Sequence, residues 1–187
     1  MIYGASFGLI AVFGAKLGLS IFQISIIVFV NTFIGALFQY PVGRLSDTFD
    51  RRIILLILNI IALVSSICVI IFGSFSFNIL LLFVGIHSAV SLPYYAVVIS
   101  HLNDFLEKDE VVSASSTLTL VNALGLVLGP IIVSGFMSYF DAYGLFYYCA
   151  IVYVFLALFT YQRVRVGRTS EIYDENTPVS YTHLTLP

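Results

Sequence analysis

Charge is what this chain of 187 residues has least of: ten Asp and Glu with eight Lys and Arg make up 10% of it, against 60% apolar side chains. A water-soluble domain carries about a quarter of its residues as charges. No soluble surface can be assembled from this stock, which excludes soluble enzymes and nucleic-acid-binding proteins. Cysteine is nearly absent. Cys68 and Cys149 lie inside apolar runs with no ligand cluster beside them, which speaks for small apolar packing residues and against redox or metal roles. The chain has no basic segment ahead of its first apolar run, so a signal peptide is a poor reading. A G-x-S-x-G nucleophile turn is missing too. Charges are also absent from the centres of the apolar runs, apart from Lys16 near the end of the first. A charge there costs about 3 kcal/mol or more to insert and would point to ion coupling.

What is present is a mean hydropathy of +1.05 and charges gathered into a few places. They fall at Lys16, within 44–52, within 104–110, at Asp141 and within 163–175, and the runs between are uncharged. An apolar stretch of about 18 or more crosses a bilayer, because roughly 20 residues at 1.5 Å rise cover a hydrocarbon core of about 30 Å. The run 53–103 is too long for one crossing and is cut by the turn-forming segment Gly73-Ser74-Phe75-Ser76-Phe77-Asn78. The pattern predicts an all-α membrane protein with six transmembrane helices, at about 2–19, 22–43, 53–72, 77–100, 113–136 and 143–162, in one bundle over 1–165. Residues 166–178 are polar and read as a disordered cytoplasmic tail.

Six alternating crossings put the loops 44–52 and 104–110 and the tail on one side. That side holds Arg44, Arg51, Arg52, Lys108, Arg163, Arg165 and Arg168, and the other holds only Lys16. Basic residues in short loops decide topology, so both ends of the segment are expected in the cytoplasm. Tyr139, Phe140, Tyr143, Tyr147 and Tyr148 gather near the opposite interface, either as an aromatic belt or packed against one another.

Between the second and third spans stands Gly43-Arg44-Leu45-Ser46-Asp47-Thr48-Phe49-Asp50-Arg51-Arg52. It reads as a tight reversal in which Gly43 lets two helix ends approach. Asp47 and Asp50 precede the third helix, where a carboxylate caps free N–H groups and meets the positive end of the dipole. Arg51 and Arg52 are badly placed for that dipole. They are expected to fix topology and to pair with the aspartates or with lipid phosphate. A merely topogenic basic loop would need neither the glycine nor the aspartates.

This loop resembles the major facilitator superfamily signature G-x-L-[AS]-D-x-x-[GD]-R-R. Gly43, Leu45, Ser46, Asp47, Arg51 and Arg52 match it, and Asp50 stands where a second glycine is more usual. The segment with Pro93 and with Gly125-Leu126-Val127-Leu128-Gly129-Pro130 is similar to the second half of YcaD-type bacterial permeases. The resemblance implies half of a major-facilitator fold, a 3+3 inverted repeat. It also implies a secondary active transporter of the bacterial cytoplasmic membrane, moving a small-molecule substrate by alternating access, with proton coupling left open. Its partners would be the lipid bilayer and a missing N-terminal six-helix half, and it would need no cofactor and no metal. Residues 43–52 would form a cytoplasmic gating latch with Asp47 at its charge–dipole contact. The chain is expected to be a gene fragment, because it starts almost inside a helix. Its last residues, 179–187, resemble the translated end of a transposon-type sequencing adapter and are given no role.

Candidates for the pathway are uncharged. Asn31, His87 and Asn122 lie close to the midpoints of three spans, which suggests a shared wet cavity that the resemblance would place on the first, second, fourth and fifth helices. The third and sixth would face lipid. The plainer reading of each asparagine is an interhelical hydrogen bond worth about 0.6 kcal/mol. His87 is the midplane group that titrates near neutral pH and is either a substrate or proton site or a packed histidine. Pro93 is expected to kink its helix beside Tyr94 and to turn carbonyls toward a cavity. Gly125, Gly129 and Pro130, like the pairs Gly4/Gly8 and Gly14/Gly18, serve close helix packing or a hinge. His101 with Asp104, Glu107 and Asp109 reads as a solvated acidic loop rather than a metal site. Two rival functions stay open: a helper bundle that only docks to another membrane subunit, and a polytopic intramembrane enzyme.

Overall fold

Capping chemistry cuts this apolar sequence into helices. The computed structural model describes residues 2–106 and 110–176, the side chains of 4–106 and 110–165 among them. The described residues form α1 (Ile2–Lys16), α2 (Ile21–Thr48), α3 (Arg51–Phe72), α4 (Phe77–Asn103), α5 (Val111–Tyr139) and α6 (Gly144–Asn176). Ser20 opens α2 through a capping box. Its hydroxyl accepts from the Gln23 N–H at 3.3 Å, and the Gln23 side-chain oxygen accepts from the Ser20 N–H at 3.0 Å. Asp50 opens α3 by accepting from the Arg52 N–H at 2.8 Å. Ser76 opens α4 by accepting from the Ile79 N–H at 3.2 Å. Left-handed backbone turns the chain at Gly18 (φ 72°) and at Asp141 (φ 55°).

Helices α2 to α5, and α6 over Gly144–Arg165, are long and apolar enough to cross a membrane. Helix α1 has 15 residues, about 22 Å at 1.5 Å per residue, which is short of a hydrocarbon core of about 30 Å. The architecture is the expected all-α membrane bundle, and two helix ends lie well beyond their expected boundaries. First, α2 runs on through residues 43–48, so the expected reversal shrinks to Phe49 and Asp50. The Phe49 N–H still donates to the Leu45 carbonyl at 3.1 Å, and Ser46 and Thr48 spend their hydroxyls on carbonyls of the same helix. Gly43 is a helical residue and not a point of close approach: a Cβ built there meets nothing within 4 Å. Second, α6 continues to Asn176, through residues expected to be a disordered tail. Polarity alone does not end a helix, and 163–176 contains no proline and only one glycine. Residues 177–187, with the adapter-like end, lie outside the described residues.

The packing has an internal symmetry. The touching pairs are α1·α2, α1·α4, α1·α5, α1·α6, α2·α3, α2·α4, α3·α4, α3·α6, α4·α5 and α5·α6. Exchanging α1 with α4, α2 with α5 and α3 with α6 returns the same set of pairs, as two three-helix repeats in one bundle require. Helix α3 shows why such a bundle suits lipid. Ile54, Leu55, Leu58, Asn59, Ala62, Ser65, Ser66 and Val69 are buried in one stripe. Ile53, Ile57, Ile60, Val64, Ile67 and Ile71 are exposed on the other face. Close approach is built from glycine: a Cβ at Gly4 would lie 2.6 Å from the Leu126 backbone of α5. One at Gly35 would lie 3.0 Å from Leu92 and 3.1 Å from the Ser88 carbonyl of α4. The aromatic cluster divides. Tyr148 is buried against Phe136 (5.6 Å between centroids), and Tyr143 packs on Phe13 (5.9 Å). Tyr139, Phe140 and Tyr147 are exposed.

Candidate functional site

Polar side chains inside the bundle form linked pairs rather than one wet chamber. Asn31 on α2 is buried, and its Oδ1 accepts from Ser88 Oγ of α4 at 2.7 Å. His87 is 1% exposed. Its ring meets Phe146 and Tyr153 edge-on, at 5.5 and 5.8 Å between centroids. One turn on, Ser91 Oγ lies 3.4 Å from each imidazole nitrogen, 2.7 Å from the Tyr153 hydroxyl and 2.7 Å from the His87 carbonyl, to which it donates. Asn31 and His87 are thus enclosed in helix–helix packing.

Tyr94 and Asn122 are the two pathway candidates that do share a space. They line a cleft of about 550 Å³ between α4, α5 and α6, together with Ser91, Tyr95 and Tyr153. Pro93 and Gly125 adjoin it: Pro93 is buried inside α4, and Gly125 is part of the lining. Gly129 is buried on the same α5 stripe, one turn on, and Pro130 follows it inside α5. On the neighbouring face Gly8 meets Pro130: a Cβ at Gly8 would stand 3.2 Å from the Pro130 ring.

Asn59 is not visible as a candidate in the sequence, because an Ile- and Leu-rich third span reads as lipid-facing. It is fully buried. Its Nδ2 donates to the Tyr94 hydroxyl at 3.4 Å and to Thr160 Oγ1 at 3.3 Å, while its Oδ1 has no hydrogen-bond partner among the described residues. A signal is present in the spacing. Asn59, Ala62, Ser65, Ser66 and Val69 fall on one helical stripe, and Ile53, Ile57, Ile60, Val64, Ile67 and Ile71 fall on the other.

Charge is kept to the two ends of the bundle. At one end Arg51 joins three helices. It pairs with Asp47 Oδ1 at 3.1 Å and with Asp104 Oδ1 at 2.6 Å, and donates to the Ser46 carbonyl at 3.3 Å and to the Ser100 carbonyl. Asp47 therefore sits in the last turn of α2, and Asp50 alone caps α3. The Arg52 guanidinium lies 6.0 Å from the Phe105 ring centroid. These groups border a hollow of about 400 Å³ with His101. Leu45 is exposed beside it. Glu107 and Asp109 of the acidic loop lie outside the described residues. At the opposite end Lys16 donates to the Met137 carbonyl of α5 at 2.8 Å and stands 3.5 Å from Asp141 Oδ1.

A symmetric membrane bundle with this charged reversal between its second and third helices defines a class. The chain matches the family model of the Major Facilitator Superfamily over residues 1–180, and it belongs to that superfamily of multi-pass membrane transporters. It is 29% identical over 155 residues to the uncharacterized MFS-type transporter YfkF of Bacillus subtilis (strain 168), across 81% of this chain and 39% of the relative. The chain spans well under half the length of that relative. Neither match reaches down to the YcaD-type group. No solved structure matches.

Proposed function

We propose that this bundle is the second half of a secondary active transporter that moves a small solute across a bacterial cytoplasmic membrane by alternating access. Its partner is a first six-helix half. The observation that carries the proposal is the end of the bundle where Arg51 holds the tips of α2, α3 and α4 together through Asp47, Asp104 and two carbonyls. The basic residues around it support a cytoplasmic position for that end. Such a junction lets three helix ends move as one body, as rocking of one half against the other requires. Exposed apolar side chains on α2 (Phe29, Phe33, Leu37) and α5 (Leu120, Val127, Ile131) supply surface for the partner half and for lipid.

Transport fits the interior better than catalysis does. Among the described residues Ser91 and His87 come nearest to a nucleophile and base, at 3.4 Å. Ser91 gives its proton to the His87 carbonyl instead. The test is substrate-dependent uptake into vesicles by the whole transporter with Asp47→Asn. Transport is expected to fall at least about tenfold with membrane insertion unchanged. Normal turnover in that variant removes the latch. An intact protein without uptake of any solute favours a helper bundle.

A further inference from the structure

The cleft between α4, α5 and α6 differs from the pathway that the resemblance implies, because α6 contributes to its wall and the resemblance places α6 toward lipid. Its volume of about 550 Å³ falls within the roughly 300–1,000 Å³ of sites for drug-sized ligands. None of the residues that line it is charged. A charged ligand would have to shed water there with no counter-charge, which is strongly unfavourable. The polar groups are few and held in place. The Tyr94 hydroxyl is held from behind by Asn59 at 3.4 Å, Tyr153 is fixed by Ser91 at 2.7 Å, and Tyr95 reaches Thr119 of α5 at 3.4 Å. Asn122 faces the same space from α5, and the remaining wall is leucine and valine with Gly125.

A second observation points the same way. The Asn59 Oδ1 behind Tyr94 is buried and has no hydrogen-bond partner among the described residues. Buried acceptors are rarely left so, and Asn59 bears on the cleft through the Tyr94 hydroxyl that it holds.

We infer that the α4–α5–α6 cleft binds an uncharged amphipathic small molecule, whose apolar body lies on the leucines and whose hydroxyl, carbonyl or neutral amine N–H groups are read by Tyr94 and Asn122. Calling that molecule a substrate rests on the transport reading; its binding does not.

The chain has no tryptophan, so Leu124→Trp places a single fluorescent reporter on the cleft's exposed rim. Ile57→Trp on the exposed face of α3 serves as a lipid-facing control. The purified full chain is titrated with neutral N-phenyl-1-naphthylamine and with its sulfonated relative 1-anilinonaphthalene-8-sulfonate. Saturable energy transfer from the rim reporter to the neutral dye alone is expected, and clearly weaker transfer from the α3 control, which stands one helix away from the cleft. Adding Tyr94→Phe or Asn122→Leu to the rim variant should weaken the transfer about fivefold. Equal transfer from both reporters, or equal binding of the sulfonate, overturns the proposal. So does quenching of the rim reporter by brominated phosphatidylcholine that the neutral dye cannot relieve, since a lipid tail then holds the cleft. Should Leu124→Trp fail to fold, Val121→Trp on the same rim replaces it. Dye binding without uptake would sink the transport reading and leave this one standing.

Discussion

Asn59 shows how one residue can unsettle a helix that otherwise looks simple. Its amide is buried among α3, α4 and α6 with two weak donated bonds and an acceptor left over. A half-satisfied buried polar group is worse for stability than an apolar side chain of similar volume, because the unpaired atom keeps its desolvation penalty. Asn59→Leu trades that penalty for the two weak bonds to Tyr94 and Thr160 and is expected to be neutral or to stabilise the bundle by up to about 1 kcal/mol, seen as an equal or higher midpoint in thermal unfolding in detergent. It should also loosen Tyr94 and weaken binding in the cleft. Destabilisation by that substitution would mean the acceptor is in fact satisfied. Legibility at this scale is uneven. Asn31, His87 and Asn122 can be picked out because polar groups near the centre of a span stand out against lipid. That only Asn122 of the three meets the cleft is not readable, since depth along a helix says nothing about which way a side chain points. Asn59 is hidden by its neighbours' composition, although its stripe is written in the spacing.

At the scale of elements, the number of helices is plain in the hydropathy and their ends are not. The uncharged runs mark membrane crossings because charge is costly in lipid. A helix, though, does not stop at the headgroups, and α2 carries its hydrogen-bond ladder through the charged motif to Thr48. Gly43 thus makes no close approach of the kind that its motif suggests. Two glycines of α2 should respond oppositely to the same substitution. Gly43→Ala adds a methyl where nothing lies within 4 Å and removes the helix penalty of glycine. It is expected to be neutral or to stabilise by up to about 1 kcal/mol. Gly35→Ala drives a methyl to 3.0 Å from Leu92 and 3.1 Å from the Ser88 carbonyl, so parts of α4 that have little freedom must give way. A loss of about 1–3 kcal/mol is expected. Thermal unfolding of the two variants side by side decides it, and a Gly43→Ala that unfolds earlier than Gly35→Ala would refute the assignment.

For the molecule as a whole, the exchange that maps α1 onto α4 and α2–α3 onto α5–α6 also relates its two charged ends, with the signs reversed. At the end of α4, Asp104 meets the cation Arg51 next to the α2–α3 turn. At the end of α1, Lys16 meets the anion Asp141 in the α5–α6 turn. In both cases the cation also donates to a carbonyl near a helix C-terminus, Ser100 in α4 and Met137 in α5, where positive charge meets the negative end of the dipole. The ion pair at the Lys16 end contributes little by itself, because Asp141 is 80% exposed and Lys16 38%, and exposed pairs are worth about 0.2–1 kcal/mol. The Lys16 bond to Met137 should be the larger part. That division is open to a charge swap. Lys16→Asp loses both contacts, and Asp141→Lys loses the pair and sets two cations together. Combining them restores attraction across the turn but leaves the Met137 carbonyl without its donor. The double variant is therefore expected to recover only part of the thermal stability that Lys16→Asp loses, and raised salt should erase the recovered part. Complete recovery would show that the ion pair, not the carbonyl, ties α1 to the α5–α6 turn.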